Sequence, residues 1–150
     1  METQAKSILL AILFTITAAF SYAQKGVEDG SKYGHGEDSI RALMNLSMYQ
    51  QFYKQKSYKD AIKAWRVVFN ETPIISKNMY LHGINMFKVQ FQKAKTAAEQ
   101  QKFADTVMMI YDQRMKYFGE KGYYLARKAV DMAAMMPSKK MEAYELFHQS

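Results

Sequence analysis

The sequence predicts an all-α protein built from helical hairpins. Three observations carry this. From Asp38 to the end of the chain, apolar residues recur at steps of three and four, and no segment alternates with period two. Two start signals, Ser57 with Asp60 and Thr96 with Glu99, have the spacing of a capping box. The chain holds only two prolines and seven glycines, too few for a sandwich of strands joined by many turns.

Six helices follow in order. The first is expected from Asp38 to Gln55, with Ile40, Leu43, Leu46, Met48, Tyr49, Phe52 and Tyr53 on its apolar face. The second starts at Ser57 and carries Tyr58, Ala61, Ile62, Trp65, Val68 and Phe69. Thr72-Pro73 stops it, because the residue before proline avoids helical angles. Ser76 is expected to cap the third, which bears Met79, Tyr80, Gly83, Ile84, Phe87 and Phe91. The fourth opens at Thr96 and turns Phe103, Val107, Met108, Tyr111, Met115 and Phe118 inward, with Gly119 at its end. The fifth covers Lys121 to Met135, before Pro137. The sixth begins at Ser138, carries Met141, Tyr144 and Phe147, and reaches Ser150 with no stop signal. It either frays there or continues in a longer chain. Short connections pair these helices as three antiparallel hairpins.

The N-terminus is a separate matter. A polar start with Lys6 precedes an uncharged run of 13 residues, Ile8 to Phe20, then Ser21-Tyr22-Ala23. That is the order of a secretory signal peptide, residues 1–23, cleaved after Ala23. A membrane anchor is the alternative, but a spanning helix needs about 20 apolar residues. A lipid-modified N-terminus would need a cysteine, and the chain has none. Residues 24–37, Gly-rich and polar, read as a flexible leader to a helical domain over 38–150. The predicted localisation is the periplasm or the outer membrane.

Without cysteine there is no disulfide framework, thiol nucleophile or Cys-based zinc site. Twelve methionines suit adaptable helix packing instead. The net charge of +7 points, in an exported chain, to anionic lipid, anionic glycan or an acidic protein rather than nucleic acid. Because the positive charge is spread out, a solvated, soluble surface is the reading preferred over any of these partners. His35, His82 and His148 stand alone, with no second ligand at metal-binding spacing, and His82 reads as a packed or surface histidine. Asp105 and Asp112 lie on roughly one face of the fourth helix, where solvated charge is commoner than acid–base work. Lys59, Lys63 and Arg66 line the polar side of the second. No catalytic, cofactor or metal constellation emerges, and the expectation is a protein without enzymatic activity.

The second helices share a feature. Ala61 precedes Trp65 by four residues, Ala104 precedes Met108, and Ala143 precedes Phe147. Measured from Ala61, Phe52 and Pro73 fall on the conserved aromatic and the terminal proline of the tetratricopeptide repeat (TPR), and Gly83 on the small-residue position of the next unit. The chain thus resembles the TPR family over residues 40–150. Asn45 and Tyr49 stand where that family prefers tryptophan and glycine. The alanines are 43 and 39 residues apart, against a TPR period of about 34, a spacing that also suits HEAT-like pairs. The segment YDQRMKYFGEKGY, Tyr111 to Tyr123, is similar to a stretch of exported bacterial TPR-like proteins.

The resemblance implies a right-handed α-solenoid that binds a protein or peptide on a concave face made by the first helices. In the family register that face includes Leu46, Gln50, Tyr53 and Lys54, then Lys77, Tyr80, Ile84, Phe87 and Lys88. Tyr53, Tyr80 and Phe87 are the expected aromatic anchors, with Lys54 and Lys88 as charged partners. The broad apolar faces leave core membership open for the apolar ones. The expected function is an envelope adaptor. A charge-driven module for anionic lipid or glycan and the N-terminal structural segment of a larger assembly protein are the alternatives.

Overall fold

The computed structural model describes residues 26–27 and 29–150, which form six α-helices and no strand. The predicted signal peptide lies outside the described residues. No helix among them is long and apolar enough to cross a membrane. The helices are α1 (Glu37–Lys54), α2 (Tyr58–Glu71), α3 (Lys77–Lys93), α4 (Ala97–Phe118), α5 (Lys121–Met135) and α6 (Lys140–His148), with a 3-10 turn, Pro137–Lys139, leading into α6.

Local chemistry sets the boundaries. At α4 the Thr96 hydroxyl accepts from the Glu99 backbone N–H at 3.2 Å, and the Glu99 carboxylate accepts from the N–H groups of Lys95 and Thr96. This reciprocal cap satisfies donors that the first turn leaves unpaired. The expected second box is absent. The Ser57 hydroxyl donates to the Asp60 carboxylate at 2.9 Å, so its oxygen caps no backbone N–H. Ser76 precedes α3 in extended conformation but makes no side-chain cap. Thr72, fully buried, ends α2 and turns its hydroxyl back to the Val68 carbonyl. Between α4 and α5 the chain reverses through Gly119 (φ 68°) and Glu120 (φ 55°), left-handed angles that glycine adopts freely and glutamate does not.

Each helix packs chiefly on the next in the chain, most closely as α1 on α2, α3 on α4 and α5 on α6. Arg41 near the start of α1 forms a two-point ion pair with Glu71 at the end of α2. Gln113 of α4 reaches the Phe69 carbonyl of α2 at 2.7 Å. The core runs through these layers. Trp65, Phe69, Tyr80, Phe87 and Tyr111 are buried, with Met79, Met86 and Met132 filling between them.

Two predicted faces differ. In α1 the buried residues are Ala42 and Tyr49, whereas Ile40, Leu43 and Met48 are exposed. In α6 only Ala143 is buried, and Met141, Tyr144 and Phe147 are all exposed. Among the described helices these two are the first and the last, and each packs chiefly on one neighbour, α1 on α2 and α6 on α5. The described leader residues make a local turn. Asp29 accepts from the Ser31 N–H and pairs with His35 at 2.7 Å, and Tyr33 lies against the core.

Candidate functional site

The first helix of each pair, α1, α3 and α5, supplies the candidate surface. On α3 the exposed residues Asn78, Leu81, Asn85 and Gln92 recur at helical spacing, with Lys88 half-buried among them. On α5 the corresponding run is Arg127, Val130 and Ala134.

Side chains bridge both seams. Between α1 and α3, Asn85 donates to the Tyr53 hydroxyl at 2.9 Å, and the Tyr53 ring stacks on His82 with centroids 4.0 Å apart. Tyr49, buried beneath, meets the same imidazole edge-on. Between α3 and α5, Lys88 forms an ion pair with Asp131. Asp131 is only 8% exposed, and its second oxygen accepts from the Tyr111 hydroxyl at 2.8 Å. Both oxygens of this deeply set carboxylate therefore have a partner, which is what burial of such a group requires. Burial and this anionic partner push the Tyr111 phenol well above the usual tyrosine range. A cleft of about 210 Å³ opens beside the pair, floored by Phe91, Ala134 and Met135. Another, of about 290 Å³, lies between Tyr111, Arg127 and Val130.

Of the predicted surface residues, Lys54 and Lys77 are exposed, and Leu46, Gln50, Tyr53 and Lys88 are half-buried. Lys77 lies 3.7 Å from Glu120. Three others belong to the core. Tyr80 is fully buried, donates to the Pro73 carbonyl at 2.7 Å, and sits between the rings of Phe69 and Phe118. Phe87 fills the space between Trp65 and Phe103. Ile84 is 6% exposed. The cause is that helices pack on α3 from two sides: Phe69 and Trp65 of α2 and Phe118 and Phe103 of α4 enclose the rings of Tyr80 and Phe87.

The other singled-out residues have local partners. Asp105 accepts from Gln101, and Asp112 pairs with Lys128. Lys63 pairs with Asp60, and the Arg66 guanidinium lies over Phe87. His148 meets Tyr144 edge-on. Among the described residues no three ligand-type side chains converge as a metal site. No protein-family model, curated protein or solved structure matches the chain.

Burial holds the His82 imidazole below the ordinary histidine value of 6.5. The unfolded chain therefore binds this proton more readily, so stability is full above that value and declines as pH falls below it. Urea unfolding at pH 7.5 and 5.5 checks this. The decline is expected to shrink in His82→Phe, which keeps the ring on Tyr53 and removes the titration.

Proposed function

We propose that the protein is an exported, non-catalytic adaptor of the bacterial cell envelope. In this reading the six helices form three antiparallel hairpins of a right-handed, TPR-like α-solenoid, and a protein or peptide binds across α1, α3 and α5. The supporting observation is the pair of bridged seams, Tyr53–Asn85 and Lys88–Asp131, which tie the first helices into one continuous surface. Leu81 and Val130 stand on that surface as apolar contacts. Exposed Lys54 on α1 and Arg127 on α5 would serve as donors for an acidic or main-chain ligand. Tyr53 is the one expected anchor that remains accessible, and Leu81 takes the place of Tyr80 and Phe87.

Affinity capture from envelope extract at low and moderate salt tests the reading, with a Leu81→Glu variant of unchanged melting temperature as control. The expected result is a protein partner retained at moderate salt and lost with Leu81→Glu. Capture of anionic lipid or glycan alone, abolished by salt and unchanged in the variant, would replace the adaptor by a charge-driven module, because screened surface attraction needs no apolar contact.

A further inference from the structure

The Ala-to-large step of the second helices occurs three times, but only two copies are covered. Ala61 and Trp65 are both fully buried, and Ala104 and Met108 are nearly so. In α6, Ala143 is 3% exposed while Phe147 is 52% exposed.

The first copy shows what covers such a step. The next helix, α3, lies over Trp65. Its Met79 carbonyl accepts the indole N–H at 2.8 Å. Gly83 sits so close that an added Cβ would stand 2.4 Å from the indole carbon Cζ2. In the second copy, α5 packs on α4 in the same chain order. At the third copy an apolar groove of about 330 Å³ runs between α5 and α6, floored by Ala129, Ala133 and Ala143 and walled by Val130, Tyr144 and Phe147. The alanine floor leaves room for a backbone to approach closely, and the walls are large apolar side chains still in water.

The groove's one charged lining residue is Lys140. It precedes Ala143 by three residues, as Tyr58 precedes Ala61. Tyr58 lines a recess together with Gln90 and Lys93 of α3, so the covering helix brings its position 90 to that end of the groove. Gln90 lies seven residues after Gly83, two turns along the same helix face.

We infer that the α5–α6 groove is a second docking site, adjoining the first-helix surface at Val130 and extending away from it onto α6, and that its occupant is an amphipathic helix of a partner polypeptide. The occupant carries a small residue over Phe147 and an acidic residue seven positions later, opposite Lys140. The small residue admits the Phe147 ring as Gly83 admits Trp65. The acidic residue matches a lysine at the rim of an otherwise apolar groove.

A synthetic peptide of residues 76–94 of this chain, with Gln90→Glu and Lys93→Glu, is the probe. Fluorescence anisotropy with the intact protein is expected to give one-to-one binding. Phe147→Glu in the protein should weaken it by about tenfold or more, as should Gly83→Leu in the peptide, since one lost apolar anchor is worth that ratio. A peptide that keeps Gln90 and carries only Lys93→Glu should bind somewhat more weakly than the probe, and mainly at low salt. Leu81→Glu in the protein should leave binding unchanged. Phe147 is half exposed, so its variant is expected to melt with the parent protein. Absence of binding at millimolar protein, or binding indifferent to Phe147→Glu, would overturn the inference. So would sedimentation showing that the protein alone self-associates and that Phe147→Glu disperses it, because a second copy would then be the occupant.

Discussion

Trp65→Ala is expected to cost about 3–5 kcal/mol of stability, the range for deleting a large buried aromatic side chain. The indole is fully buried, stacks on Phe69 at 4.5 Å, meets Phe87 edge-on and bonds the Met79 carbonyl. Its removal leaves a cavity between α2 and α3 and a main-chain acceptor without its donor. The same contact makes Gly83 a sensitive position. In an exposed helix, replacing glycine by alanine gains about 1 kcal/mol. Here the new methyl would meet a ring held on three sides, and Gly83→Ala is expected to cost about 2 kcal/mol net. In a Trp65→Leu background that cost should vanish or reverse, because the obstructing ring is gone. Urea unfolding of the four proteins forms a double-mutant cycle, and equal Gly83→Ala effects in both backgrounds would refute the packing argument.

Arg114→Lys is expected to destabilise more than Arg114→Met. Arg114 is 1% exposed, with its guanidinium 4.2 Å from the Tyr124 ring centroid and 5.1 Å from that of Phe118. It pairs with Glu120, and its Nε is buried without a partner. A planar cation tolerates this slot because it stacks on both rings. Lysine would bury a compact, strongly hydrated ammonium and lose the stacking, at about 2–4 kcal/mol. Methionine fills similar volume, removes the orphaned Nε and leaves Glu120, 54% exposed, to water, at about 1.5 kcal/mol or less. The reverse order in thermal unfolding would mean that the Glu120 pair, rather than the packing of the slot, anchors the α4–α5 turn.

How much of this was legible in the sequence depended on how local the signal was. The bounds of α5, the Thr96 cap, the Gly119 reversal and the end of α2 at Thr72 are set by neighbours within a turn of chain, and the residues announce them. The α1 face was not legible, because apolar residues ring that helix and tertiary contacts alone select Ala42 and Tyr49 for burial. The candidate surface was displaced for a related reason. Which residues of α3 meet solvent depends on where α2 and α4 pack against it, and rings from both enclose Tyr80 and Phe87, with Ile84 buried as well. The seam partners His82, Asn85 and Asp131 meet residues some 30 to 40 positions away, and no local pattern pairs them. Only Asp131 left a trace, as a lone carboxylate in the apolar run AVDMAAMM.

The packing of each helix on its successor also bears on how the chain acquires its structure. Contacts between near neighbours close short loops, and chains dominated by such contacts fold quickly. Each pair of helices spans about 30 to 40 residues, and its contacts need no distant strand and no oxidant to join cysteines. A chain threaded unfolded through a narrow pore from its N-terminus would thus gain order from the leading end, with α1 and α2 in place before α6 emerges.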